Sequence, residues 1–388
     1  MKKNFDTRET REGATRLTLP VPSFCDHSKE FGERGPGIKD GTVFYNPAMT
    51  MSRDISIAAC RLLAETSKRP MRILDGLAAS GARAVRIANE CGCGIDVVAN
   101  DISENAVRII EENVRLNSLE NVTITRRDLN ALLVSDHFDY IDVDPFGSPA
   151  LFVDNCFRAI NRDGVLAITA TDTAPLCGTY AKVCLRRYGA RPMRNVGMHE
   201  HGIRILLGFI AREGAKHDRA IEPLFSYCSD HYFRTYVRVR KGRTAAANGL
   251  ANIGYLEKRE GAGYEAIKHP HELQGREYAG PLWLGELHEK EFVEGLLRII
   301  PQMTLDKREK AIKLLEIARG EIGMPPFHYT TDEISSVAKT QPMPTGLLLE
   351  RLREAGFAAA RSHFSPKAFK TDADFDSLLR IFKKEGRV

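Results

Sequence analysis

The most chemically specific run in the chain is Asp142-Val143-Asp144-Pro145-Phe146-Gly147-Ser148-Pro149. An acid, a proline and an aromatic residue in succession suit methyl transfer to an amine attached to a planar base. Such an amine is a poor nucleophile, because its lone pair is delocalised into the ring. Hydrogen bonds from its protons to Asp144 Oδ and the Pro145 carbonyl would favour a pyramidal nitrogen, with the lone pair turned toward an electrophilic methyl. Pro145 fixes the local backbone, and Phe146 can stack on the base. The rate would come from orientation and from acceptors placed in advance. A base in structured RNA would have to be flipped out to reach them. The plainer reading is a Pro-Gly turn with a capping Asp. Asp142 alternates onto the same side as Asp144, as a second acid or a buried structural one.

A methyl donor needs its own pocket. Asp75-Gly76-Leu77-Ala78-Ala79-Ser80-Gly81-Ala82-Arg83 is a small-residue turn that opens a helix, without the full GxGxxG of a dinucleotide site. Pyrophosphate needs close backbone approach and a helix N-terminus. S-adenosylmethionine carries no phosphate and needs only small residues against its amino-acid moiety and ribose, so Asp75 and Gly81 are expected at that cofactor. Asp101 follows Gly81 by twenty residues and can accept from both ribose hydroxyls. Its plainer role is a helix cap before Ser103. In Arg127-Asp128-Leu129-Asn130, Asp128 can accept from the adenine amino group, with Leu129 against the ring.

These groups must be held at strand ends. Apolar runs at Met71–Leu77, Asp96–Asn100, Val122–Thr125, Phe138–Val143 and Val165–Thr171 alternate with helical spacing at Ala82–Glu90 and after Ser103, where Val107, Ile110, Val114 and Leu116 form a stripe. The alternation argues for α/β architecture, a parallel sheet covered on both faces, with ligands beyond the carboxyl ends of its strands. A helix to about Thr66 precedes it. A helix over His199–Glu213 and strands over Glu222–Tyr227 and Tyr232–Arg240 follow. The Gly- and Ala-rich stretch Lys241–Gly254 reads as a domain boundary, which gives residues 1–243 (a preface, 1–70, and a core, 71–243) and 244–388. In the second part, a capping box at Thr330–Glu333, a turn at Pro342–Pro344 and a helix over Leu347–Ala355 resemble a winged helix. A general helical packing domain is the alternative.

Composition sets outer bounds. Two domains are the default for 388 residues, and 43% hydrophobic and 28% charged residues provide an ordinary core. A net charge of +5, from 56 basic and 51 acidic residues, permits nucleic acid without arguing for it. No apolar run approaches the ~20 residues that span a bilayer, so no membrane association is expected. The eight scattered cysteines, Cys25 among them, lack zinc-knuckle spacing and read as thiols in a reducing cytoplasm. No metal is expected. His269 and His271 lack further ligands, and His199-Glu200-His201 is not a zinc motif because adjacent residues do not share a helix face. Nothing calls for an obligatory protein partner, and the oligomeric state stays open.

Taken together the motifs resemble the tRNA guanine-26 N2-dimethyltransferase family, in its archaeal form. The likeness runs through Phe44-Tyr45-Asn46-Pro47 with Arg53-Asp54, Asp75–Arg83, Asn100–Ser103 and Asp144–Pro149. It continues through Thr169–Asp172, Ala174–Gly178, His231–Arg234, Gly280–Gly285 and Ser362–Pro366. The resemblance implies a Rossmann-like class I methyltransferase domain followed by a smaller α+β domain. It implies two methyl groups placed on N2 of guanosine 26 of tRNA, each from its own S-adenosylmethionine. It also implies cofactor contacts at Arg53, Arg83, Asp101, Asp128 and Leu129, a catalytic Asp144, and Phe146 with Phe44 or Tyr45 at the base pocket. Arg53 has an alternative as a solvated helix residue, and Arg83 as a brace of its loop. Ser52 stands where the family often has Asn, and the cysteine ribbon that some members carry is absent from 254–279.

For holding tRNA, the alternation of Phe233–Lys241 puts Arg234, Tyr236, Arg238 and Arg240 on one face, suited to phosphate and base contact or simply solvated. Arg361, His363, Lys367 and Lys370 would form a wing on the tRNA. Leu347–Leu349 and Leu352 read as core. Competing readings are an amine methyltransferase of another RNA, of DNA or of a protein glutamine, and a non-catalytic RNA-binding protein on the same fold. A dehydrogenase is the weakest.

Overall fold

The computed structural model describes residues 7–21, 43–229, 231–259 and 263–385; Cys25 lies outside them. The chain forms two compact units, interleaved along the sequence. The first takes residues 1–144, 158–167 and 295–313, the second 145–157, 168–294 and 314–388. The division differs from the consecutive 1–243 and 244–388 expected from composition. The Lys241–Gly254 stretch is not a linker but contains a helix, Arg243–Leu250, with Ala246 buried. Its alanine run favours helix more than its glycines oppose it.

In the first unit, β1 (Met71–Asp75), β2 (Ile95–Asn100), β3 (Val122–Thr125), β4 (Phe138–Val143) and the start of β5 (Ile160–Ala170) lie in the order β3-β2-β1-β4-β5. β1 pairs in parallel with β2 and β4, and β2 with β3. All six residues of β4 are buried, as expected for a strand covered on both faces. Helices α1 (Thr50–Thr66), α2 (Ala82–Glu90), α3 (Glu104–Leu116) and α4 (Leu129–Ser135) belong to this unit. Ser103 caps α3 by accepting from Ala106 N. The buried face of α3 is Ala106, Ile109, Ile110 and Asn113, which shares only Ile110 with the apolar stripe read from the sequence. Asn113 sits on that face because its amide group serves the backbone of Thr18 and the carbonyl of Ser80. Apolar periodicity is blind to a polar residue in that role.

In the second unit the order continues β5-β7-β6, where β6 (Arg219–Ser229) and β7 (Tyr232–Lys241) form an antiparallel hairpin. Helices α5 (Ala181–Tyr188) and α6 (Met198–Ala215) belong here. So do helices Thr331–Ala338, Thr345–Glu354 and Phe375–Glu385 with a three-stranded sheet of Tyr329–Thr330, Ala359–Arg361 and Ala368–Thr371. Ile334, Leu348, Leu352, Phe369, Leu378 and Phe382 close that winged-helix-like core. Thr330 caps its first helix through Glu333 N. Leu347 is exposed rather than core. Among the described residues no helix is long and apolar enough to cross a membrane.

Candidate active site

The register of the first unit gathers four acids at one end of the sheet. β1 and β4 pair with Asp75 opposite Asp142. Asp144 lies just beyond β4, and Asp101 just beyond β2. Arg83, buried in the first turn of α2, pairs with Asp144 and lies 3.5 Å from Asp142 through Nε. It also donates to Ser56 Oγ at 2.5 Å. Tyr140 donates to Asp142 at 3.0 Å. Arg83 therefore ties the start of α2 to Asp142 and Asp144 beyond β4 and to Ser56 of α1. Asp75 is 2% exposed, and its Oδ2 accepts no hydrogen bond among the described residues. Burial pushes the Asp75 carboxyl up to about 7; Arg83 pulls it down, while Asp142, Asp144 and Asp101 add to the rise.

The turn between β1 and α2 is shaped by small residues. Gly76 and Ala78 donate to the carbonyls of Asp142 and Asn100 at 3.0 and 2.8 Å. A Cβ on Gly76 would stand 2.9 Å from Leu129 Cδ1, so Leu129 closes directly over the turn. Gly81 has φ +74°, and a Cβ there would meet Ile110 at 2.9 Å. Asp101 accepts from Ala79 N and Ser103 N, so it tethers the turn and begins the next helix. Asp128 is exposed and caps α4 through Ala131 N.

Arg53, expected at the cofactor, is buried among partners of its own. Its Nε and Nη2 form a two-pronged pair with Glu12 at 2.7 and 2.6 Å, and both Nη atoms donate to the Asn46 carbonyl. Tyr45 donates to the same carboxylate at 2.5 Å, and Arg53 lies over its ring. Burial alone would raise Glu12, but Arg53 and Arg86 hold it down at about 2. Arg53 and Tyr45 thus fix the Phe44–Pro47 segment to the N-terminal hairpin of Thr7–Glu12 and Thr15–Pro20. Phe44 is half-buried. Glu12 carried no signal in the sequence, because its partners lie 33 to 74 positions away.

The remainder of the run belongs to the second unit. Gly147, with φ +91°, donates to Thr171 Oγ1 at 2.7 Å and accepts from Thr171 N at 3.0 Å. Thr171 Oγ1 also lies 3.5 Å from the Pro145 carbonyl. Ser148 donates to Tyr188 Oη at 2.7 Å, and Tyr188 donates to Asp172 at 2.6 Å. Phe146 is 59% exposed on this framed loop. Thr171, Asp172 and Tyr188 were not singled out from the sequence as site residues; their signal was position, just after β5 and at the end of α5.

The expected basic face of β7 is largely inside. Arg234 is fully buried, donates to Thr169 Oγ1 at 2.7 Å and lies over Tyr236. Arg238 is paired with Glu289 at 3.2 Å. In the wing, Lys370 and His363 are also inside, whereas Arg361 and Lys367 are exposed. Lys370 bridges Glu200 at 2.9 Å and Glu321 at 3.3 Å. His288, Glu321 and His363 bring one ligand atom each within 4.8 Å. The Lys370 ammonium already faces that carboxylate, and His363 lies 2.6 Å from it, so the cluster is charge-matched as it stands.

Residues 30–383 match the family model described as N2,N2-dimethylguanosine tRNA methyltransferase. The tRNA (guanine(26)-N(2))-dimethyltransferase of Pyrococcus abyssi is 36% identical over 365 residues, 90% of this chain and 94% of its own length. That of Thermococcus kodakarensis is 36% identical over 390 residues, 96% and 98% of the two chains. The solved structure of Trm1 from Pyrococcus horikoshii, a complex with S-adenosyl-L-methionine, matches at a TM-score of 0.85 and 32% identity, over 96% of this chain and 99% of its own.

Proposed function

The chain belongs to the N2,N2-dimethylguanosine tRNA methyltransferase family, and from that premise we propose that Asp144, Pro145 and Phe146 are its reaction centre. The protein is an S-adenosylmethionine-dependent enzyme that transfers two methyl groups to N2 of guanosine 26 in tRNA. S-adenosylmethionine supplies an electrophilic methyl on a sulfonium. The observation that carries the site assignment is the gathering of Asp75, Asp142 and Asp144 about the guanidinium of Arg83, with Asp101 near enough to Asp75 to raise it further. Such a cup is net negative, and it suits a donor that bears a sulfonium and an ammonium against one carboxylate.

In this reading Asp75, with its buried unpartnered oxygen, receives the ammonium end. Asp101 accepts from the ribose. Asp128 and Leu129 take the adenine edge and face, while Gly76 and Gly81 keep the floor low. Arg83 orients Asp144. Asp144 Oδ1 and the Pro145 carbonyl accept from the guanine amine, and Asp144 carries off the proton that the nitrogen sheds. Phe146 stacks on the flipped base. Arg53 and Tyr45 act one step back, by holding the Phe44 segment. Arg238, with Arg361 and Lys367 of the winged-helix-like part, contributes phosphate contacts. Arg234 supports β7 from inside. The described cysteines are free thiols, in keeping with a cytoplasmic enzyme.

The test is methyl transfer from labelled S-adenosylmethionine to an unmodified tRNA transcript, with the product nucleoside identified by mass spectrometry. N2,N2-dimethylguanosine that disappears when guanosine 26 is replaced supports the reading. Label that persists on the replaced transcript rejects it.

A further inference from the structure

The stretch 173–199 contains Lys182, Arg186, Arg187, Arg191 and Arg194 and no acidic residue. With 51 acids among 388 residues, three or four would be expected in a stretch this long. The imbalance has a shape. On α5, Lys182, Leu185 and Arg186 share the exposed stripe at i, i+3 and i+4, and Cys184 and Tyr188 turn inward at i and i+4. Tyr180, at the start of α5, is 59% exposed and Leu185 60%. Gly178, with φ +92°, lets the preceding loop lie directly on Arg194: a Cβ there would stand 2.9 Å from Arg194 N. Of the five cations, Arg187 is paired with Asp172 at 3.0 Å and Arg191 lies over the Tyr278 ring at 4.7 Å. Among the described residues, Lys182, Arg186 and Arg194 are exposed and make no ion pair with an acid.

Uncompensated cations interleaved with an exposed tyrosine and leucine make a poor protein-packing face and a good one for RNA. The cations match phosphate, and the flat and apolar groups match unstacked bases. The face is also indexed to the reaction centre within its own unit. Tyr188, on the last turn of α5, receives Ser148 Oγ and donates to Asp172, and Ser148 lies two residues after Phe146. We infer that Lys182, Arg186 and Arg194, with Tyr180 and Leu185, form a surface that grips the tRNA strand flanking the flipped guanosine, with Tyr188 holding it in register with Phe146. The inference rests on the reading of this chain as a tRNA methyltransferase.

The experiment uses the full chain and unmodified tRNA. Removing three phosphate contacts with Lys182→Ala, Arg186→Ala and Arg194→Ala together should lower the slope of log affinity against log salt by about 2 to 3, at ~0.7–0.9 per contact. KM for tRNA should rise at least tenfold, with S-adenosylmethionine affinity in the absence of tRNA and the melting temperature unchanged. A second variant, Tyr180→Ala with Leu185→Ala, should weaken tRNA binding and leave the salt slope as in the parent. Parent-like affinity and slope in the triple variant, in a protein whose parent methylates guanosine 26, overturn the surface assignment. Loss of the slope in the triple variant, in a parent that methylates some other RNA position, upholds the surface and rejects the assigned target.

Discussion

Asp144 answers to two partners, Arg83 on one oxygen and, by the proposed chemistry, the guanine amine on the other. Asp144→Asn keeps the size of the side chain and removes the acceptor charge. It should lower kcat by roughly 10²–10⁴, the usual range for a positioned proton acceptor, with KM for tRNA changed far less. Single-turnover kinetics would measure this, and a variant within threefold of the parent would remove Asp144 from the chemistry. Asp75 makes a pH-dependent counterpart. Its carboxyl is pushed up to about 7, first by burial, so in the unliganded fold it loses its proton as pH rises through that value. For stability the sign is unfavourable. The unfolded chain ionises near the ordinary aspartate value, so this group's contribution is present below that value and is lost as pH rises through about 7. For binding a cationic donor the sign reverses, because the donor favours the ionised form. Affinity for S-adenosylmethionine should rise about tenfold from pH 6 to pH 8 with release of a proton, measurable by calorimetry in two buffers, and Asp75→Asn should flatten the curve. Both acids were legible in the sequence because they sit at strand ends. Glu12 was not, since its importance lies in Arg53, Arg86 and Tyr45, all distant along the chain.

At the scale of elements, the framed loop Pro145–Pro149 depends on a helix that the motif itself does not reveal. Tyr188 ends α5, is fully buried, and joins Ser148 to Asp172 through one hydroxyl. Tyr188→Phe should cost about 1–3 kcal/mol in stability, since two half-buried polar groups lose their shared partner. It should also lower kcat while S-adenosylmethionine binding holds, because the cofactor cup is built from other elements. Chemical denaturation and equilibrium binding on the same variant separate the two effects, and an unchanged kcat would argue that the loop holds its shape without α5. Elements with strong local signals could be read directly: the four parallel strand runs, the Ser103 cap and the Thr330 cap all appear where side-chain periodicity and capping chemistry put them. The misread places share a cause. The α3 face hides an Asn that serves neighbouring backbone, the Arg243–Leu250 helix hides behind glycines, and the β7 arginines are drawn inward by Thr169, Tyr236 and Glu289. In each case a tertiary partner, absent from any local window, decides the outcome.

For the molecule as a whole, the interleaving of the two units is the property that sequence composition conceals, because glycine-rich stretches announce loops and not the return of a chain to an earlier core. Residues 295–313 come back to the first unit long after its sheet is complete. Gly295 lies against Leu62 so closely that a Cβ would stand 2.7 Å from Leu62 Cδ2. Lys307 N donates to the buried Asp54 at 2.8 Å, and Arg298 reaches Glu65 at 3.3 Å. Asp54 also pairs with Arg86 at 2.7 Å, which in turn holds Glu12, so the returning segment supports the same buried charge network that fixes Arg53. Ile299, Ile300 and Ala311 on that segment are fully buried. Burying a large aliphatic side chain contributes roughly 1.5–3 kcal/mol, and net domain stability is only about 5–15 kcal/mol. Losing two isoleucines and the amide that satisfies Asp54 therefore removes a large share of the total. A fragment of residues 1–243, the apparent catalytic domain by composition, should accordingly lack a cooperative thermal transition and bind S-adenosylmethionine at least tenfold more weakly than the full chain. Circular dichroism melts and calorimetric titration test this. A fragment that melts sharply and binds like the parent would show that the cofactor cup stands without the returning segment. Restoration of both by a fragment of residues 1–313, but not by one of residues 1–294, would assign the loss to that segment specifically.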